Sequence, residues 1–186
     1  MMKNKPFWII GLTLIFSLLL AACGGGETES GSADCGSDVG EAETEGNYQI
    51  PTAIEGCYNV GFVYVGPHDD GGWTQAHDVG RQYVQDNVDN VHTAFVETVA
   101  EGADAEQVIR SLARKGFDII FTTSFGFMDG SEIVASEFPD VDIVHLTGFK
   151  ANGENFGNLM GAMEDMKYLA GMLAGSRAEM DGNPKL

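Results

Sequence analysis

Residues 63–81 read VYVGPHDDGGWTQAHDVGR. An aspartate pair, two histidines, a tryptophan and several glycines are crowded between an apolar run and a helical pattern. Such residues could serve a metal centre, a carboxylate dyad, a phosphate cradle or a pocket for a flat polar ligand. His68, Asp69, Asp70, His77 and Asp78 can each ligate a cation, but no His-x3-His or comparable spacing converges them. They read as solvated residues at a helix start, so no metal and no cofactor is expected. Adjacent Asp69 and Asp70 diverge on an extended loop, which is poor geometry for a shared proton. Gly66, Gly71 and Gly72 make a glycine-rich loop before a helix, yet no Walker lysine follows and the loop's own acids repel phosphate. The loop better suits a neutral ligand rich in donors, such as hydroxyls or an exocyclic amine. Carboxylates would accept its hydrogen bonds while Trp73 stacks on its ring. Packing of Trp73 beneath the following helix is the competing reading.

A second unusual stretch, TTSFGFMD at residues 122–129, carries Ser124, Phe125 and Gly126. Its Ser-x-Gly lacks the leading glycine of a nucleophile elbow, and a base would have to come from His68, His77, His92 or His145. An exported hydrolase therefore stays open as an alternative, with His68 or Ser124 in play. Phe125 reads equally as a second aromatic wall or as core, and Phe127 reads as core.

The elements that would position these loops alternate. Apolar runs of buried-strand type occur at 59–65, 91–96, 118–122, 141–146 and 156–160. Helical patterns lie between and after them. In the first, Ala76, Val79, Gly80, Tyr83 and Val84 fall on one face. In the second, at 104–115, Ala105, Val108, Ile109 and Leu112 point inward. A third helix, at 129–138, stops before Pro139, and a last one near 163–178 carries Met166, Leu169, Ala170 and Leu173 along one side. Strand–helix alternation implies an α/β fold with a parallel sheet covered on both faces. The economical arrangement is doubly wound and flavodoxin-like, with strand order 2-1-3-4-5. Ligands then bind at the carboxyl ends of strands one and three, where the two unusual loops lie.

Upstream of the domain, Lys3 and Lys5 precede a 16-residue apolar run at 7–22, short of the roughly 20 residues of a membrane span. Residues 1–22 read as a signal peptide. Leu20-Ala21-Ala22-Cys23 resembles the lipobox of bacterial lipoproteins, which implies an acylated Cys23 and a lipid anchor on the extracytoplasmic face of the cell membrane. Setting Lys3 and Lys5 aside takes the formal charge from −18 to −20, and eight acids without a Lys or Arg lie between Cys23 and Asn59. Residues 23–58 read as an acidic flexible tether and 59–186 as the domain. An acidic balance excludes nucleic acid as a partner. In an exported protein the remaining pair, Cys35 and Cys57, reads as a disulfide rather than half a metal site.

Four stretches together carry a resemblance: VGFVYVGPHDDGGWTQAHDVGR, EGADAEQVIRSLARKGFDIIFTTSFGFMD, EFPDVDIVHLTGFK and MKYLAGMLAG. Spanning Asn59 to about Gly175, they resemble the BMP family of basic-membrane-protein, Med and PnrA-like lipoproteins, the substrate-binding components of ABC importers. The resemblance implies a type I periplasmic-binding-protein fold, a purine nucleoside or nucleobase as ligand, and an ABC permease and ATPase as partners. It places Asp70 and Trp73 as ligand contacts in the first loop, and Ser124, Phe125 and Gly126 in the second-loop motif. His68 and Asp69 stand where relatives carry other residues. Such proteins are about twice as long, so the expectation here is the first lobe only, with further contacts in a second lobe. A binder of another small polar ligand, such as a sugar, is a further alternative.

Overall fold

The computed structural model describes residue 35 and residues 41–182. Residues 1–22, expected as a signal peptide, and Cys23 lie outside the described residues. In chain order the elements are β1 (Ala42–Glu45), β2 (Tyr48–Pro51), β3 (Tyr58–Val63), α1 (Trp73–Asn87), β4 (Val91–Val96), α2 (Ala103–Arg114) and β5 (Ile119–Thr122). A single 3-10 turn (Phe125–Phe127) leads into α3 (Met128–Glu137), followed by β6 (Asp142–Leu146), β7 (Phe156–Leu159) and α4 (Met163–Met180).

Strands β3 to β7 form one parallel sheet in the order β4-β3-β5-β6-β7. This is the expected doubly wound order, with the winding reversing between β3 and β5. Register is tight at their carboxyl ends: Val63 stands between Val96 and Thr122. The loops after β3, β4 and β5 therefore leave the sheet at one level, which makes a shared site possible.

One face of the sheet carries the main core. Val63, Val96, Ile120 and Ile143 meet Ala105, Val108, Ile109 and Leu112 of α2 and Val134 and Ala135 of α3, all buried. The inward stripe expected of α2 is the stripe observed. Asp104 and Glu106 sit at its positive end and Arg114 at its negative end, as the helix dipole favours. Gly116, at φ +91°, then turns the chain in a conformation that L side chains rarely adopt.

The other face departs from expectation at α1. Val79 and Tyr83, expected to face inward, are 59% and 67% exposed, while Thr74, Asp78 and Arg81 are the buried residues of the helix. The reason is a polar network beneath it. Arg81 donates from Nε to Asp78 Oδ1 at 2.6 Å and from Nη1 to Thr93 Oγ1 at 3.1 Å. Tyr64 Oη and Gln82 Nε2 also donate to Asp78, and the Arg81 guanidinium lies 5.0 Å from the centre of the Phe95 ring. Gln85 Oε1 accepts from the Thr93 N–H and hydroxyl, covering part of the β4 edge. Buried charge is tolerable when it is paired and hydrogen-bonded, and here it sets which way the helix rolls.

The stretch expected as a tether is also revised, because from Ala42 onward it is folded. Strands β1 and β2 pair as an antiparallel hairpin. Ile50 is fully inserted in the main core, and Tyr48 Oη donates to Asp104 Oδ2 at 2.7 Å. The acids of the hairpin find a cation: Lys115 reaches Glu43 at 2.5 Å and Glu45 at 3.6 Å. Composition alone hides this, since one isoleucine and one tyrosine anchor an otherwise polar segment. Cys35 and Cys57 are bonded, with Cα atoms 5.7 Å apart, at the amino end of β3. Finally, α4 has no buried residue, so its stripe of Met166, Leu169 and Leu173 does not meet the sheet.

Candidate functional site

The two unusual loops meet. Thr123 continues β5 beside β3, with its N–H and hydroxyl both donating to Val63 O at 3.1 and 3.0 Å. That fixes the Thr123 carbonyl, and Trp73 donates its indole N–H to it at 2.7 Å. The first residue of α1 thus bridges the loops after β3 and β5. Trp73 is 40% exposed, so it neither packs away beneath the helix nor stands free: its nitrogen is anchored and part of its ring faces solvent. His77 lies against that ring at 4.6 Å, with Nδ1 2.7 Å from the Trp73 carbonyl oxygen.

Asp70, expected as a ligand contact, is exposed and already engaged by the backbone. Its Oδ1 accepts from Gly72 N at 2.8 Å and Gln75 N at 3.0 Å, and its Oδ2 from Thr74 N at 3.0 Å. These are N–H groups that open α1 and have no partner within the helix. Three backbone donors hold the carboxyl down to a pKa of about 2. Asp70 therefore locks the start of α1, and through it the position of Trp73, with Oδ2 the less occupied oxygen.

The loop after β4 supplies residues that pattern reading missed. Thr98 N donates to Gly66 O and Val99 N to Tyr64 O, so this loop lies along the extension of β3. Thr98 takes a left-handed φ of +56°, and Val99 plugs into the core. Two glutamates project from its ends. Glu97 Oε2 accepts from the His68 N–H at 2.7 Å and stands 2.8 Å from His68 Nδ1. That carboxylate raises the His68 pKa; partial burial pushes Glu97 up, but its bonds to His68 leave it below its usual value. Glu101 Oε1 accepts from Ser124 Oγ at 2.5 Å and from Gly126 N at 3.2 Å. A glutamate four residues after another, just past a strand, was the available signal.

Phe125, between those two anchors, is 58% exposed, while Phe127 is fully buried. Phe149, in the loop after β6, is 76% exposed, and its ring centre lies 6.4 Å from that of Phe125. Sequence reasoning passed over Phe149 because nothing periodic marks a loop. Along the carboxyl ends of β3, β5 and β6 the molecule thus presents Trp73, Phe125 and Phe149, rimmed by carboxylates. Exposed large rings at the carboxyl ends of the strands make this the candidate binding surface.

The other chemistries find less support. Among the described residues no group of three His, Cys, Asp or Glu side chains is placed to hold a metal ion. Ser124 is bonded to a carboxylate, not a histidine. His145 is buried with Nδ1 2.9 Å from Thr122 Oγ1, and desolvation lowers its pKa. A cavity of about 370 Å³ lies away from the ring wall, between Tyr48 of the hairpin and Phe95 and Glu97 of the sheet edge.

The profile of a family described as "ABC transporter substrate-binding protein PnrA-like" matches residues 57–182. A purine-binding protein of Brucella abortus (strain 2308) is 46% identical over 116 residues, 62% of this chain and 33% of that protein. A protein of Haloferax volcanii named for ABC transporter glucose binding is 36% identical over 152 residues, 82% of this chain and 38% of that protein. The matched segments thus cover only about a third of the length of these curated relatives. An ABC transporter solute-binding protein from Conexibacter woesei DSM 14684 superposes with a TM-score of 0.47 at 23% identity, covering 56% of this chain and 35% of the other.

Proposed function

The chain belongs to the PnrA-like family of ABC transporter substrate-binding proteins, and from that premise we propose that it captures a purine nucleoside or nucleobase for uptake. One observation carries the reading: Trp73, Phe125 and Phe149 stand exposed together at the carboxyl ends of the strands, with carboxylates beside them. A purine offers a flat face to such rings and donors to such acceptors, and base–aromatic stacking contributes about 1–3 kcal/mol per base. Trp73 and Phe125 act as stacking faces, Ser124 and Gly126 as the fixed edge of the second loop, and Asp70 as the residue that sets Trp73 in place. The ligand is bound and released unchanged, without turnover, then handed to a permease and ATPase. We place the protein on the outer face of the cell membrane, held by an acylated Cys23. Intact mass of the membrane-extracted protein checks the anchor: the expected mature chain begins at a lipid-bearing Cys23.

A sugar is the second reading, favoured by the glucose-binding name of the Haloferax relative. Sugars also stack on aromatic rings and donate to carboxylates. Calorimetric titration with adenosine, guanosine, inosine, adenine and glucose separates the two. Purine binding without glucose binding is the expected result, and the reverse would replace the proposal with its alternative.

A further inference from the structure

We propose that Glu101 is a positioning residue for the ligand, holding Phe125 as a preformed stacking platform; the inference rests on reading the ring wall as the ligand site. Strand β4 is at the sheet edge and β3 lies between it and β5. For a residue after β4 to reach the loop after β5, the chain must cross the end of β3. The backbone bonds of Thr98 and Val99 to Gly66 and Tyr64 provide that crossing, and the buried Val99 pins its middle. Glu101 then emerges beside the 3-10 turn.

Its two bonds fall on Ser124 and Gly126, the residues on either side of Phe125. The carboxylate also lies directly over Gly126, where a Cβ would come within 2.2 Å of Glu101 Cδ. A side chain at 126 would displace the Glu101 carboxylate from its present position. A large ring exposed on a three-residue turn has little packing of its own to hold it. Fixing the main chain on both sides removes freedom that the ligand would otherwise have to remove on binding. Glu97 holds His68 in the first loop the same way, through one backbone and one side-chain group. The loop from Glu97 to Glu101 therefore braces both sides of the crevice.

The test compares Glu101→Ala, Glu101→Gln, Phe125→Ala and the Glu101→Ala/Phe125→Ala pair in the mature chain. In ligand-free protein, hydrogen exchange should show the Gly126 amide losing protection in Glu101→Ala and keeping it in Glu101→Gln, whose side-chain oxygen still accepts. Titration with adenosine and with glucose should show Glu101→Ala binding about tenfold more weakly, Glu101→Gln within about threefold of wild type, and the double variant no worse than Phe125→Ala. Unchanged Gly126 exchange in Glu101→Ala, or losses that add in the double variant, would overturn the proposal. Wild type that binds glucose alone would instead overturn the purine reading, and the same cycle with glucose would still judge Glu101. If neither ligand binds, the purine reading fails and Gly126 exchange alone decides for or against the brace.

Discussion

Beneath α2 the sheet meets Val108, Ile109 and Leu112; beneath α1 it meets Thr74, Asp78 and Arg81. Both helices cover the same sheet, yet one is held by close-packed apolar volume and the other adds directed polar bonds to a small apolar cluster that Val84 joins. Apolar packing is tolerant of small shifts and rolls. A guanidinium bonded to a carboxylate and a threonine hydroxyl is not, because its bonds weaken steeply with misalignment. The polar helix is also the one that begins in the candidate site, with Trp73 as its first residue and Asp70 anchoring its first turn. Geometry is thus strictly specified at the helix that opens the candidate site, at the cost of some core.

That contrast can be broken at its strongest points first. Asp78→Ala leaves Arg81 buried without its carboxylate, and denaturant melts should show a loss of about 3–5 kcal/mol. Replacing the pair with Leu at 78 and Met at 81 should recover most of that loss while weakening ligand binding, because packing restores stability but not register. Equal binding by the double variant would mean that the polar bonds do not set Trp73. Leu112→Ala, beneath α2, should cost about 2–5 kcal/mol with affinity unchanged once the protein is folded.

Acid sharpens the comparison through Asp70. Its carboxyl titrates at about 2 in the folded chain against 3.8 ordinarily. A lowered folded value means its contribution is present above pH 4 and is lost as pH falls towards 2. Wild type should therefore melt above Asp70→Asn at neutral pH, with the gap closing near pH 2. A gap that persists at pH 2 would place the effect of Asp70 elsewhere than in its charge. The smallest effect belongs to the outer face of α1: Tyr83→Ser should change stability by no more than about 0.5 kcal/mol. A loss of several kcal/mol there would mean that something covers that face.

These same two helices mark what could be read in advance. Parallel strands buried on both faces write themselves as apolar runs, and the economical doubly wound order for them brings the two loops together, as observed. The face of α2 followed from its period. The face of α1 did not, because Asp78 and Arg81, three residues apart, look the same whether the pair faces water or a sheet. The hairpin hid behind its acids, since their partner Lys115 lies far along the chain. In the site, Trp73 and the Ser124–Gly126 loop were legible as odd residues at strand ends. Glu101 and Phe149 were not, because loops carry no period and only the fold brings them to the same rim. Asp70 was found by type, but its capping of α1 was not, as sequence cannot show that its oxygens hold three N–H groups.

Trp73 offers the most direct test of the central claim. The sequence has two tryptophans, Trp8 and Trp73, and Trp8 falls within the segment at 1–22. In a chain beginning at Cys23, tryptophan emission reports Trp73 alone. Titrating adenosine should change that emission saturably, at the midpoint found by calorimetry, and Phe125→Ala should move both midpoints together to higher concentration. Adenosine that binds calorimetrically yet leaves Trp73 emission unchanged would place the ligand away from the ring wall and contradict the account.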